Sequence, residues 1–451
     1  MDTNKTLAEL KLENASSEAR NTLISMFDED SFTELSPYTG GSVVTGYGQI
    51  DGCPAYAFVQ DVSVKSGAVC KAAAGKIVKL YSLAVKNGAP VIAVYDSKGG
   101  DISEGQDLLA AYGDIANACA SISGVAPQIA LIGGVCGGIS ASLACMADFV
   151  IMTEKAELFL NPPFITGGSS AAANAAKAGV SCMTAKNMDE AVKKAKALVS
   201  ILPQNNLEVA GNDYFALPTD APDASLKGGA MVKAIADKDS LIELFEDFGA
   251  SAYTALGSVN WKTVGFVATD KTEGKLTAAD TVKIARFVGI CDAFSIPVIT
   301  VVDSEGFAAD KETELSGSVR DAAKLTQVYA SSTTQKIALI TGNALGGAFT
   351  VFCGANADVT LALEQAVIAP TTPKAAAVFL YSDKLNTKEE LEAAAEKYAQ
   401  EEAGALNAME KGVVDRIIEP EDIWKEINAA LEILSGKRVA SPARKHINFV
   451  Y

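Results

Sequence analysis

Two glycine-rich segments in this chain could do chemistry with the main chain alone. One is Gly133-Gly-Val-Cys-Gly137-Gly138-Ile-Ser-Ala-Ser. The other is Gly342-Asn-Ala-Leu-Gly346-Gly347-Ala348. In each, an apolar run stops, glycines permit an unusual backbone path, and small residues open a helix. Backbone N–H groups at such a start have no helical partner and form an acceptor site for an oxyanion. A second donor is available from the loop Ser97-Lys98-Gly99-Gly100, and in the later segment from Glu305-Gly306-Phe307. Removing one donor from a two-donor hole typically costs about 3–4 kcal/mol of transition-state stabilisation. The alternative is that Gly-Gly only lets a helix pack closely. A dinucleotide fingerprint is a poor fit, because Gly133–Gly138 has the wrong spacing for Gly-x-Gly-x-x-Gly.

The two segments belong to a longer repetition. Pro90-Val-Ile-Ala-Val-Tyr-Asp96-Ser returns as Pro297-Val-Ile-Thr-Val-Val-Asp303-Ser, and Ile129-Ala-Leu-Ile returns as Ile337-Ala-Leu-Ile. Ala147-Asp148 returns as Ala357-Asp358. The offset is 207 at the prolines, 208 at the isoleucines, 209 at the Gly-Gly pairs and 210 at the Ala-Asp pairs. This is a duplicated domain with one glycine device per copy. Two facing devices could hold two carbonyls and pass a group between them. Asp96 and Asp303 end equivalent runs and read as turn or cap residues, with a catalytic acid as the alternative.

The remaining residues narrow the chemistry. The chain has 451 residues and one histidine, His446. A Ser-His-Asp triad, a Cys-His dyad or a multi-histidine metal centre would each depend on that residue. The eight cysteines form no Cys-x-x-Cys pair, so they read as free thiols and no metal site is expected. A net charge of −17 argues against a nucleic-acid backbone as partner. No apolar run is long enough to span a membrane, and the start lacks a signal segment, so the expected location is cytoplasmic. Lys71, Lys76 and Lys79 are candidates for holding the phosphates of a coenzyme, or else a solvated helix face.

Elements that could position these groups are legible from periodicity. Gly41–Ile50 and Cys53–Val62 read as a hairpin around Asp51-Gly52, matched by Ala255–Val259 and Lys262–Thr269. Lys71–Lys86 reads as an amphipathic helix ended by Asn87-Gly88, with Thr277–Phe294 as its counterpart. Val91–Tyr95, Ile129–Ile132 and Phe149–Met152 are unalternating apolar runs, as are Val298–Val302, Ile337–Ile340 and Val359–Ala362. Such runs fit parallel strands buried on both faces. The class is α/β, with two domains expected at 1–215 and 230–451. Residues 7–35 read as helical with a turn at 28–32, and Gly167–Ala178 as a loop or lid. Leu207–Gly229 reads as a linker. Gly179-Val180 and Gly412-Val413 each precede a capped amphipathic helix, at Asp189–Leu202 and Glu421–Leu434. The acidic run Glu389–Glu402 reads as a solvated helix.

At this point the chain resembles a family, the biotin-dependent acyl-CoA carboxyltransferase subunits of the propionyl-CoA carboxylase β-subunit and methylmalonyl-CoA or glutaconyl-CoA decarboxylase type. The resemblance covers about residues 18 to 451. It rests on Val44-Thr-Gly-Tyr-Gly48, Lys86-Asn-Gly-Ala-Pro-Val91, Asp96-Ser97 with Gly99-Gly100, and Gly134-Val-Cys-Gly137-Gly138. Later stretches are Leu202-Pro-Gln-Asn-Asn206, Cys291-Asp-Ala-Phe-Ser-Ile-Pro297, Gly306-Phe307, Arg320-Asp-Ala-Ala-Lys324, Gly346-Gly347-Ala348 and Pro442-Ala-Arg-Lys-His446. Three stretches depart from the family pattern. Ser97-Lys98-Gly99-Gly100-Asp101 stands where Ser-Gly-Gly-Ala-Arg is common. Ser304-Glu305-Gly306 replaces a small residue and proline, and Leu160-Asn-Pro-Pro-Phe-Ile-Thr166 replaces a Gly-Pro stretch.

The resemblance implies tandem crotonase-like (ClpP/crotonase ββα spiral) domains. It also implies a dimer in which the N-half of one chain faces the C-half of the other, and a hexamer built as a trimer of such dimers. Gly137 and Gly138 with the Gly99-Gly100 loop would hold the thioester of an acyl-CoA as its enolate. Gly347 and Ala348 with Gly306-Phe307 would hold the ureido carbonyl of carboxybiotin, whose N1 could take the α-proton. Biotin would ride on a separate carrier protein, beside a biotin carboxylase or a membrane decarboxylase subunit, which would place the chain at the periphery of a membrane complex in the second case. The residues leave open a crotonase-like CoA enzyme without biotin, or a non-catalytic scaffold subunit. They name neither the acyl group nor the direction of transfer.

Overall fold

The computed structural model describes residues 6–15, 17–209, 217–218, 220–269, 275–381, 387–440 and 448. His446 and the stretch from Pro442 lie outside them. The chain divides into two compact units, Met1–Ala210 and Gly211–Tyr451.

In the first unit a sheet runs in the order Thr33–Leu35, Val43–Ile50, Cys53–Gln60, Val91–Ser97, Gln128–Gly137, Phe149–Thr153, Met183–Ala185, with Glu157–Phe159 also pairing on Gln128–Gly137. The hairpin strands are antiparallel and the later pairings parallel. The second unit builds the same sheet from Ile242–Glu243, Ala252–Val259, Lys262–Thr269, Val298–Ser304, Lys336–Leu345, Val359–Ala362 and Arg416–Ile417, with Val367–Ala369 added to Lys336–Leu345. Apolar residues stand on both faces of the central strands because helices cover them. In the first unit Ile77, Leu80 and Tyr81 of the Lys71–Asn87 helix and Ile115 and Cys119 of the Gln106–Ile122 helix close over Ala93, Tyr95, Ala130 and Ile132. In the second, Ile423, Ile427 and Leu431 pack with Ile299, Val301, Ile337 and Leu339.

Several sequence expectations change. Thr33–Leu35 is a strand, not helix: it pairs with Thr45–Tyr47 and gives the hairpin a third member. Gly167–Ala178 is loop only in its first half, over residues 167–171. Its second half is the Ala172–Lys177 helix, with Ala172, Ala175 and Ala176 buried, because the small residues let it lie close to the sheet. The expected linker ends early, since Gly228–Ile235 is a helix with Met231, Val232 and Ile235 in the second core. Gly229 permits this, as a Cβ there would sit 3.0 Å from the Tyr253 ring. Of the two helices after the Gly-Val pairs, only Met188–Ile201 has a side-chain cap, where Asn187 accepts from the Glu190 N–H at 3.0 Å. Ile423–Ile433 starts from a short 3-10 turn without one.

Candidate active site

The strand Val91–Ser97 pairs in register with Gln128–Gly137 until Tyr95↔Ile132, then resumes at Ser97↔Cys136. Val298–Ser304 and Lys336–Leu345 do the same, from Val302↔Ile340 to Ser304↔Ala344. At each irregularity sits one aspartate. Asp96 accepts from the Val135 N–H at 3.2 Å, and Asp303 from the Asn343 N–H at 2.8 Å. Their own N–H groups go to Gln60 Oε1 (3.0 Å) and Thr269 Oγ1 (2.8 Å). The carboxylates fill the space beside a glycine: a Cβ on Gly134 would lie 2.2 Å from Asp96 Oδ1, and one on Gly342 would lie 2.4 Å from Asp303 Cγ. The glycines here exist to admit the aspartates, and the aspartates fix the bend of the next strand. Burial raises the Asp96 pKa, partly offset by the Val135 N–H. Asp303 also accepts from Lys227 Nζ at 2.9 Å.

Beyond the bend the two units repeat a second device. Ser97 Oγ accepts from the Gly99 N–H at 3.0 Å and donates to the Gly99 carbonyl at 2.9 Å. Ser304 Oγ does the same to Gly306, at 3.2 and 3.3 Å. Gly99 and Gly306 have φ of 126° and 104°, which an L side chain rarely adopts. The Asp101 N–H then bonds the Val69 carbonyl at 2.8 Å, and the Ala308 N–H the Leu276 carbonyl at 2.8 Å. Extended-chain alternation turns the intervening N–H, of Gly100 and of Phe307, to the opposite side.

The glycine pairs are one residue out of phase with their sequence alignment. Gln128–Gly137 and Lys336–Leu345 are both ten-residue strands, offset by 208. Gly138 (φ 64°, ψ −133°) therefore matches Gly346 (φ 50°, ψ −114°), not Gly347. Each donates its N–H to a neighbouring carbonyl, Gly138 to Phe159 at 2.8 Å and Gly346 to Ala369 at 2.9 Å. Each precedes a six-residue helix, Ile139–Ala144 or Gly347–Phe352. Of the glycines singled out from sequence, Gly99, Gly138, Gly306 and Gly346 thus have their amides taken up inside the fold. Gly137 lies within the strand, opposite Phe159. The first helical amides are those of Ile139, and of Gly347 followed by Ala348. Ile139 was missed because it is not a glycine, and Ser97 and Ser304 because a single Ser-x-Gly carries no signal. Their recurrence at offset 207 is what could have revealed them.

The lysine candidates separate. Lys76 is 8% exposed, and its ammonium donates to the Val43 carbonyl at 3.0 Å. Burial lowers its pKa. Lys283, 207 positions on, is likewise buried and bonds the carbonyls of Ala252 (2.8 Å) and Gly249 (3.3 Å). These are ties from helix to hairpin, which corrects the reading of Lys76 as a phosphate ligand. Lys71 is exposed and 3.3 Å from Asp107, and Lys79 reaches Ser36 Oγ at 3.4 Å. Lys76→Met should therefore leave the KM for CoA esters unchanged while costing about 1–3 kcal/mol of stability, for the carbonyl left unpaired. A denaturant titration beside a KM measurement checks both, and a raised KM at unchanged stability would reverse the assignment.

Two departures from the family pattern sit in the serine turns. Lys98 and Glu305 occupy the same place in the two copies and carry opposite charge. Lys98 is exposed, and Glu305 lies 3.8 Å from Lys275. Asp101 is bound by Lys65 at 2.5 Å and caps Ser103, which holds its carboxyl down at about 2.

With this geometry in view, comparison is decisive. The model of the carboxyl transferase domain matches residues 20–449. The chain belongs to that family. It is 32% identical to the methylmalonyl-CoA decarboxylase subunit alpha of Propionigenium modestum, over 95% of this chain and 92% of that protein. The propionyl-CoA carboxylase beta chain of Cereibacter sphaeroides is 32% identical, over 95% and 93%. Among solved structures, the transcarboxylase 12S hexamer with hydrolysed methylmalonyl-coenzyme A bound superimposes with a TM-score of 0.91 at 31% identity, covering 98% of this chain and 94% of that one. The fold is the tandem crotonase-like carboxyltransferase fold, and the chain is an acyl-CoA carboxyltransferase of the biotin-dependent family. Among the described residues no helix is long and apolar enough to cross a membrane.

Proposed function

We propose that the first unit holds the thioester carbonyl of an acyl-CoA on the amides of Gly100 and Ile139. The second unit holds the ureido carbonyl of biotin on those of Phe307 and Gly347, with Ala348 behind. The observation that carries this reading is the duplication itself. Ser97 pairs with Cys136 and Ser304 with Ala344, and each proposed donor lies three residues beyond one of these partners, at 100 and 139 or at 307 and 347. Both members of each pair follow the carboxyl ends of adjacent parallel strands. A neutral ureido oxygen fits backbone amides, which need no counter-charge. Carboxybiotin bound there would supply the carboxyl group, with N1 as a base once the carboxyl has left, and free biotin would accept the carboxyl in the reverse direction. The chain's own residues polarise the two carbonyls, and the aspartate–glycine contacts keep the donors fixed. An electrostatic hole of this kind contributes most when it needs no reorganisation during reaction.

The reading extends to assembly. Biotin arrives on a separate carrier chain, with a biotin carboxylase or a membrane decarboxylase subunit as the further partner. The protein forms a hexamer in which the first unit of one chain faces the second unit of another. Purified protein with free biotin should consume one of malonyl-, methylmalonyl- or glutaconyl-CoA, with the carboxylated thioester lost at a rate proportional to biotin. Turnover that is indifferent to biotin would instead indicate a crotonase-type CoA enzyme.

A further inference from the structure

The loop that carries the Gly100 amide is held from outside by residues 65–69. Val69 donates to the Gly99 carbonyl at 2.9 Å and accepts from the Asp101 N–H at 2.8 Å, so it bridges Gly100 from one side and leaves the Gly100 N–H facing the other. The Lys98 N–H donates to the Ser66 carbonyl at 3.2 Å. Lys65, Ser66 and Gly67 all have positive φ, of 49°, 55° and 72°. Two L side chains in succession in that region are strained, and such strain persists only where surrounding contacts hold it. Here Lys65 Nζ reaches Asp101 Oδ2 at 2.5 Å, and Asp101 Oδ1 accepts from the Ser103 N–H at 3.2 Å and from its hydroxyl at 2.5 Å. Gly67 lies so close to Asp96 that a Cβ there would stand 2.3 Å from the Asp96 carbonyl oxygen. The Asp101 side chain is only 10% exposed. The second unit ties its loop more loosely, with Lys275 3.8 Å from Glu305 and both side chains well exposed.

We propose that the Lys65–Asp101 pair is a clasp that keeps the Gly100 amide aimed at the thioester oxygen, and that Lys65 is a positioning residue of the first unit's hole. The inference rests on the reading that the first unit holds the thioester carbonyl. The pair joins the two ends of one network: Lys65 opens the strained turn, and Asp101 follows the donor glycine. Once the pair is broken the turn relaxes toward ordinary φ, the Ser66 carbonyl withdraws from Lys98, and Gly100 loses its fixed direction. An ion pair with an exposed lysine adds little to global stability, so its effect falls on the loop rather than on the fold. A donor set in advance costs no reorganisation as charge develops on the oxygen.

The test reads the carbonyl itself, without biotin. Acetyl-CoA carrying ¹³C at the thioester carbonyl, saturating the full chain, should show its C=O stretch in infrared difference spectra below the frequency in solution, because hydrogen-bond donors polarise that bond. In Lys65→Met at least half of that shift should be lost with the unfolding midpoint unchanged, and kcat for biotin-dependent decarboxylation should fall roughly 10- to 10²-fold. Lys65→Arg keeps the charge and should keep the shift. A full shift in Lys65→Met overturns the clasp alone. No shift in the unaltered protein overturns the reading of the first unit, and this inference with it. Should Lys65→Met fail to fold, Asp101→Asn decides, because it keeps an acceptor for Ser103 and removes the charge. It should lose the shift in the same way, and an undiminished shift overturns the proposal.

Discussion

Ile139→Pro should lower kcat for biotin-dependent decarboxylation roughly 10²–10³-fold, about 2.7–4 kcal/mol, with the KM for the CoA ester little changed. Proline at the first position of a helix removes an N–H that the helix does not use, and its fixed φ suits that position. Ile139 opens the Ile139–Ala144 helix, and its side chain is 56% exposed, so little packing is lost. The substitution therefore deletes one proposed donor and leaves the rest. Ile139→Ala keeps the amide and should retain most of the rate. A proline variant within a few-fold of the parent, or an alanine variant as impaired as the proline one, would remove Ile139 from the hole.

The second large effect belongs to the glycines under the aspartates. Gly134→Ala places a methyl 2.2 Å from Asp96 Oδ1, so the carboxylate must leave and the Val135 N–H loses its acceptor. Overpacking of this kind costs about 1–3 kcal/mol, and a hydrogen bond to a charged group about 1.5–3. The bend then shifts the strand that delivers Gly138 and Ile139. A displacement of about 1 Å at a reacting centre costs on the order of 10²-fold in rate. Gly342→Ala should do the same through Asp303 and Asn343, and also disturb Lys227. Combining Gly134→Ala with Asp96→Ala checks the mechanism, because the clash vanishes when the carboxylate is gone. The double variant should be less destabilised than the sum of the singles. Strict additivity in melting and rate measurements would show that the contact does not set the bend.

Much of the scaffold was legible because its physics is local. The strands Val91–Ser97 and Val298–Ser304 begin where their apolar runs begin, and Lys71–Asn87 ends at Gly88, which has φ of 58° as a left-handed cap. The site was less so. Two adjacent glycines align equally well in either phase, and only the bonds to Phe159 and Ala369 fix which one caps the helix. Lys76 falls on a face that periodicity reads as solvated, yet its long stem carries the ammonium to a hairpin carbonyl. Thr33–Leu35 owes its form to the edge of the Val43–Ile50 strand, a partner ten residues away that no local pattern announces. The acidic run was read correctly because its carboxylates stay at the surface: Lys388–Glu401 is a helix with no fully buried residue, and Tyr398 packs half-buried against the cluster of Leu345, Ala369 and Ala403.

The serine turns bear on how such a protein can change over time. Each Ser-x-Gly turn secures itself through one hydroxyl and makes no use of the middle side chain, so Lys98 and Glu305 could diverge to opposite charge without touching the amide that follows. Chemistry is thereby insulated from tuning. The reacting groups are drawn from the polymer backbone, which point substitution rarely deletes, while the adjacent side chains are free to meet new substrates or partners. A randomised library at positions 98 and 305 should accordingly yield clones that differ in preference far more often than clones that are dead.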